Sequence, residues 1–220
     1  MGLGHSPRIV TDGLVLALDA GNTKSYPGSG TSWSDLSGNS NTGTLENGVG
    51  FDSDYGGSLT FDGVDDYAPI GTSGFSFGNS AGTLSCWART NTTAAGFRWI
   101  VSYGNASPSQ SRFLGINGTT YYFGGYADDI IASGVPVNTW INMAGVYDGT
   151  NASMYINGVL VSGPAAKGWG TVPNNAQVGR QTNGVEYWSG NIAQVSIYNR
   201  ALTEAEVSQN FNALRGRYGI

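Results

Sequence analysis

Four oxygen-bearing side chains fall at alternate positions along one segment: Asp35, Ser37, Asn39 and Asn41, spaced around the flexible Gly38. A hard cation such as Ca²⁺ takes about six to eight oxygens, and a turning loop with donors at every second residue can present several of them. Together with Asp19, at the end of the first predicted strand, these residues form a candidate calcium set. The same spacing suits Asx-turns, in which Asp35 and Asn39 fold the loop on its own backbone without metal. A second group is aromatic. Trp33, Tyr55, Trp169, Tyr187 and Trp188 all fall in segments that read as loops. Exposed there, a ring with a polar edge suits stacking on a sugar; buried, it closes the end of a sandwich.

Acid–base chemistry has little to work with. Glycoside hydrolysis needs two carboxylates facing each other across a cleft. The four glutamates are Glu46 and Glu186 in loops and Glu204 and Glu206 on a terminal helix. Asp65 and Asp66 are adjacent, so an extended backbone would point them to opposite faces. Asp128 and Asp129 follow a strand and read as a solvated loop. The only histidine, His5, lies near the N-terminus, so neither a serine triad nor a histidine-dependent lyase has a placed base. No catalytic residue is assigned. Cys86 is the only cysteine, which excludes an intrachain disulfide. It shares a strand face with Leu84 and Ala88 and reads as a buried, inert thiol, compatible with assembly in a reducing cytoplasm.

The elements that must hold these residues are short strands. Of 220 residues, 35 are glycine, about twice the usual ~7%, while hydrophobic residues hold at 40% and aromatics at 12%, enough for a core with many tight turns. Leu14–Asp19 reads as a first strand. Ser58–Ile70 (SLTFDGVDDYAPI) reads as strand, turn, strand about Asp62-Gly63. Further strands are predicted at Thr83–Arg89, Trp99–Tyr103, Arg112–Asn117, Thr120–Tyr126, Trp140–Asp148, Ser153–Ile156, Val159–Ser162, Ala176–Gly179 and Asn191–Asn199. The apolar faces of the Asn157-Gly158 hairpin predict a central ribbon. Thr203 opens the one convincing helix, with Thr203 and Glu206 as a capping box, Val207, Phe211 and Leu214 as its buried stripe, and Gly216 as its end. Residues 1–11 lack periodicity and read as a flexible arm; 12–220 read as one domain.

Ten basic against 15 acidic residues give a net charge of −5, which argues against nucleic acid as a partner, since phosphate binding needs a basic patch. No apolar run reaches the ~18 residues of a membrane span, and MGLGHSPRIV lacks the pattern of a secretory leader.

FDGVDDY at Phe61–Tyr67 resembles the FDG-x-x-DY signature of laminin-G-like, concanavalin A-like jelly rolls. DLSGNSNTG, TLSCWAR, WINMAGVYDG, MYINGVLV and IYNRALTEAEV continue the resemblance in family order across nearly the whole chain. It implies an all-β fold: a two-sheet antiparallel β-sandwich, the concanavalin A-like jelly roll, with one short C-terminal helix. In that family related loops help hold calcium with acidic help from the last strand, where this chain has Ala193-Gln194 instead. The family's hydrolases carry a Glu-x-Asp-x-Glu strand that is missing here, so no enzyme is expected. The opening HSPRIVTDGLVLALDAGNTKSYPG resembles those of jelly-roll proteins of tailed bacteriophages. That resemblance implies a virion structural protein, a head-decoration or tail-associated subunit, with other virion proteins as partners. It also implies a homo-oligomer, trimer or dimer, assembled in the host cytoplasm. The alternative is a carbohydrate-binding adhesion module for host surface glycans. Asn91-Thr92-Thr93, Asn117-Gly118-Thr119 and Asn151-Ala152-Ser153 match the N-glycosylation pattern of a secreted domain, or follow from an Asn/Thr-rich composition.

Overall fold

A computed structural model describes residues 7–220, so His5 and the first half of the predicted arm lie outside the described residues. Short apolar–polar alternations, punctuated by Gly, Asn and Asp, give antiparallel strands throughout. The first five are β1 (Leu14–Asp19), β2 (Ser32–Trp33), β3 (Gly43–Thr44), β4 (Gly50–Asp52) and β5 (Ser58–Asp62). Next come β6 (Ala68–Ile70), β7 (Gly82–Thr90), β8 (Phe97–Gly104), β9 (Ser111–Asn117), β10 (Thr120–Gly124) and β11 (Asp129–Ser133). The series closes with β12 (Ile141–Tyr147), β13 (Asn151–Ile156), β14 (Val159–Ala166), β15 (Ala176–Val178) and β16 (Ser189–Tyr198), followed by helix α1 (Glu204–Leu214).

In the larger sheet the strands lie in the order β14-β13-β12-β7-β16-β5-β4, with β1 pairing the second half of β16. The smaller sheet runs β11-β10-β9-β8-β15-β6, and β2 with β3 forms a separate ribbon. The sheets stack face to face on one apolar core. Leu84, Cys86, Ala88, Ile192, Val195 and Ile197 line it from the larger sheet, and Ile100, Leu114, Ile116 and Phe123 from the smaller. Burial pushes the Cys86 thiol up to about 12, so it is inert. The all-β jelly-roll sandwich with one C-terminal helix is therefore what the chain forms.

The outer face of the larger sheet is covered by α1. Thr203 Oγ1 accepts from Glu206 N at 3.3 Å, and Thr203 N donates to Glu206 Oε2 at 2.9 Å, completing the predicted capping box. Val207 packs with Ala144, Val146, Tyr155 and Tyr198 on that face, and Phe211 stacks on Trp87 with centroids 5.7 Å apart. A 3-10 turn, Arg215–Tyr218, follows, and the left-handed Gly219 ends it, rather than Gly216 as predicted. Residues 8–10 of the predicted arm are tied to the same region. Val10 N donates to Asn210 Oδ1 at 2.8 Å, and Gln209 Nε2 donates to Arg8 O at 2.7 Å.

Three segments differ from expectation. Ser58–Ile70 is no hairpin: β5 and β6 belong to different sheets. Asp62 Oδ1 accepts from Val64 N at 2.8 Å, and this Asx-turn carries the chain over the rim of the sandwich. The ribbon predicted to be central lies at an edge, where β14 leaves Val159, Leu160 and Val161 exposed. The Asp128-Asp129 loop ends sooner than predicted, because Asp129 already pairs with Gly124 as the first residue of β11. Among the described residues no helix is long and apolar enough to cross a membrane.

Candidate functional site

The outer face of the smaller sheet carries no helix, and there the chain builds a pocket from alternate strand residues. In β9, Leu114 and Ile116 point into the core, which leaves Phe113 and Gly115 outward. In β8 a bulge between Trp99 and Val101 turns Ile100 and Val101 inward and leaves Trp99 on the outer face opposite Gly115. A Cβ at Gly115 would lie 2.5 Å from Trp99 Cε3, so only glycine lets the indole lie flat on the sheet. Phe97, two residues earlier, stacks on Trp99 at 5.3 Å and 12°, and Phe113 packs beneath at 4.1 Å. Tyr122 of β10 meets Phe97 edge-on at 5.2 Å. Trp99 is 2% exposed and Phe97 36%, so Phe97 presents the accessible ring.

Two carboxylates and an amide join these rings around a cavity of about 230 Å³: Asp129, Glu186 and Gln181. Asp129 lies over Gly124, where an added Cβ would sit 2.5 Å from Asp129 Cγ. Its Oδ1 is buried, and the backbone N–H groups of Gly125 and Tyr126 approach the carboxyl without reaching good hydrogen-bond geometry. Burial pushes this carboxyl above the usual carboxylate range, against the pull of the Gly125 and Tyr126 amides and of Lys167. Glu186 holds the indole in place: Trp99 Nε1 donates to its Oε2 at 2.5 Å, and Trp99 N donates to its carbonyl at 3.3 Å. The loop walls are strained. Tyr126, Ala127 and Glu186 adopt φ of 66°, 60° and 61°, the left-handed region that costs a non-glycine residue on the order of 1–3 kcal/mol. Such conformations persist where the surroundings enforce them, and here all three line the same pocket.

The nearby cations are committed elsewhere. Lys167 Nζ donates to Asp128 Oδ1 at 2.8 Å and to Asp129 O at 2.9 Å. Arg98 donates to the Ala94 and Gly96 carbonyls. Arg180 lies 3.3 Å over the Tyr67 ring and bonds Gln177 and Tyr187.

The five aromatics singled out in the sequence do not come together. Trp33 and Trp169 are 0% exposed and Trp188 is 1% exposed, all inside the core, which corrects their expected place on the surface. Trp169 Nε1 donates to Asp128 O at 2.8 Å, and its ring packs against Phe123 and Tyr147. The β2–β3 ribbon that carries Trp33 and the irregular segments that carry Trp169 and Trp188 pack onto the core and bury them. Tyr55 is exposed but lies on the other side of the molecule, edge-on to Trp140. Tyr187, half-buried, belongs to the pocket's loop and donates to Gly184 O at 3.0 Å.

The residues of the calcium set are occupied by the protein itself. Asp35 accepts from Ala17 N and Ser37 N on Oδ1 and from Ser37 Oγ and Asn41 N on Oδ2, all within 3.0 Å. Asn41 spans Val15 O and both polar backbone atoms of Ser73. Asn39 donates to Ser37 Oγ at 3.1 Å. Asp19 pairs with Arg217 at 2.6 Å. These hydrogen bonds are those of the Asx-turn alternative. Asp62, Asp65 and Asp66 bring carboxylate oxygens within 4.8 Å of one another. That grouping comes with the turn that Asp62 and Asp66 close on the backbone of residues 62–65.

The pocket's Phe97, Trp99 and Phe113 rings lie on strands, whereas the sequence places its candidate sugar-stacking rings in loops. A strand-borne signal was present: Phe97 and Trp99 share a face at i, i+2, with Gly115 and Gly124 in the neighbouring strands.

Residues 62–208 match the family model described as the concanavalin A-like lectin/glucanases superfamily. No curated protein matches the sequence. Among solved structures, the botulinum neurotoxin serotype G binding domain aligns with a TM-score of 0.69 at 17% identity, over 90% of this chain and 50% of that one. The binding domain of botulinum neurotoxin DC in complex with SialylT aligns at 0.67 and 16%, over 93% of this chain and 52% of that one. Domain 4 of AbnA, a GH43 extracellular arabinanase from Geobacillus stearothermophilus, in complex with arabinotriose, aligns at 0.67 and 18%, covering 90% of this chain and 97% of that domain. The chain thus spans about half the length of the toxin binding domains and nearly all of the arabinanase domain.

Proposed function

Since the chain belongs to the concanavalin A-like lectin/glucanases superfamily, we propose that it is a non-enzymatic carbohydrate-binding domain with its ligand seat on the outer face of the smaller sheet. The observation that carries this reading is the pocket itself. An accessible ring, Phe97, is backed by a rigid aromatic stack beside the carboxylates of Asp129 and Glu186 and the amide of Gln181. A pyranose or furanose offers a C–H face to an aromatic ring and hydroxyl donors to such acceptors. Two of the similar folds are described with a bound sugar, arabinotriose in one and SialylT in the other.

Binding without hydrolysis is the simpler chemistry for these residues. A glycosidase needs one carboxyl as acid and a second as nucleophile or base. Asp129 and Glu186 both line the pocket, and although the Trp99 indole fixes Glu186 through Oε2, its other oxygen is free. Hydrolysis is therefore the competing reading that the experiment must separate. A glycan array with the intact chain tests binding, and oligosaccharides incubated with the protein test hydrolysis. Bound glycans that are not cut support the reading; new reducing ends would contradict it.

The opening segment, by its resemblance to phage jelly rolls, favours a setting in a virion, where a repeated subunit could present this pocket to host surface glycans. Mass spectrometry of purified particles tests that setting: a high, fixed copy number supports it, and protein found only free in lysate rejects it.

A further inference from the structure

Resting on the reading that the pocket holds a sugar, we propose that it selects an uncharged glycan unit and rejects units that carry a carboxylate, such as sialic or uronic acids. The polar groups that line it are the carboxylates of Asp129 and Glu186 and the amide of Gln181, with no cationic side chain among them. Lys167, held by Asp128 and the Asp129 carbonyl, Arg98, held by two carbonyls, and Arg180, held by the Tyr67 ring and Gln177, all lie outside that lining.

A carboxylated sugar therefore meets like charge in a partly desolvated site, a juxtaposition that weakens binding. A neutral sugar meets the opposite situation. Its hydroxyls are donors, and the carboxylates of Asp129 and Glu186 and the Gln181 amide that line the pocket offer acceptors. The whole chain, at net charge −5, adds a long-range field of the same sign.

The test compares matched pairs on one array: galactose-terminated against sialic-acid-terminated chains, and glucose-terminated against glucuronic-acid-terminated chains. The expected result is that neutral members bind and carboxylated partners bind at least about tenfold more weakly. In Asp129→Asn, shown folded by its melting curve, that ratio narrows. Equal binding of both members of each pair, preference for the carboxylated ones, or a ratio unmoved by Asp129→Asn overturns the charge selection while leaving the sugar pocket intact. If no glycan of any charge binds, the carbohydrate reading itself fails, and the selectivity with it.

Discussion

Asp129 is the residue whose behaviour separates a binding role from a structural one. Its carboxyl is held above the ordinary value of 3.8 by burial, so the folded state disfavours the ionised form. The folded protein therefore loses stability as pH rises from about the unfolded value through the higher folded one, and the penalty stays in place above it. Asp129→Asn removes that penalty: its melting midpoint should exceed that of the wild type at pH 7, with the advantage shrinking as pH falls towards 3.8. A variant less stable at every pH would mean that Asp129 is there for the fold. Phe97→Ala should do the reverse, leaving the midpoint within a few degrees while weakening glycan binding about 2- to 10-fold, the range expected from ~0.5–1.5 kcal/mol of aromatic contact. The tryptophans that look like sugar platforms in the sequence behave differently again. Trp169→Ala and Trp188→Ala empty fully buried sites and should each cost about 3–5 kcal/mol of stability by denaturant titration. Loss of binding in either would report unfolding, not a lost contact. Their types and loop positions were legible, but whether a loop folds over the sandwich end or away from it depends on long-range packing that local pattern does not encode.

At the scale of elements, strand identity was readable wherever alternation was strict, and partnership was not. Leu14–Asp19 is β1 to the residue, and the capping box of α1 forms as its residues dictate. The two strands around Asp62-Gly63 were recognised, yet they join different sheets, because an Asx-turn can close a hairpin or launch a crossover with the same residues. The Asn157-Gly158 hairpin was likewise found, but its apolar β14 lies at an edge. The helix offers a clean check on this level. Thr203→Ala removes the N-cap oxygen and should destabilise the protein by about 1 kcal/mol in denaturant unfolding. Glu206, held at about 2 by two bonds from Arg200 and by the cap, favours the folded state above its ordinary 4.5. That contribution fades as pH falls from 4.5 towards 2, so Glu206→Gln should differ from the wild type at neutral pH and converge with it in acid.

For the molecule as a whole, the division of labour lies between two sheet faces. One is sealed by α1 and the C-terminal turn through Trp87, Phe211 and Tyr218; the other is left open and set with aromatics. The six ordered motifs made the sandwich legible because they mark its strands and turns. The pocket is not legible locally because it joins three strands, the loop before β11 and the distant loop that carries Gln181 and Glu186. The loop resembling a calcium site is closed by its own hydrogen bonds, so a chelator should leave the melting midpoint unchanged; a fall in midpoint would place a cation there after all. Backbone NMR during titration with a glycan that binds locates the sugar seat on the open face. A sugar seated there shifts the amides of Phe97–Trp99, Phe113–Gly115, Gly124–Asp129 and Gln181–Glu186. Shifts concentrated instead around α1, Tyr55 or the β14 edge would contradict it.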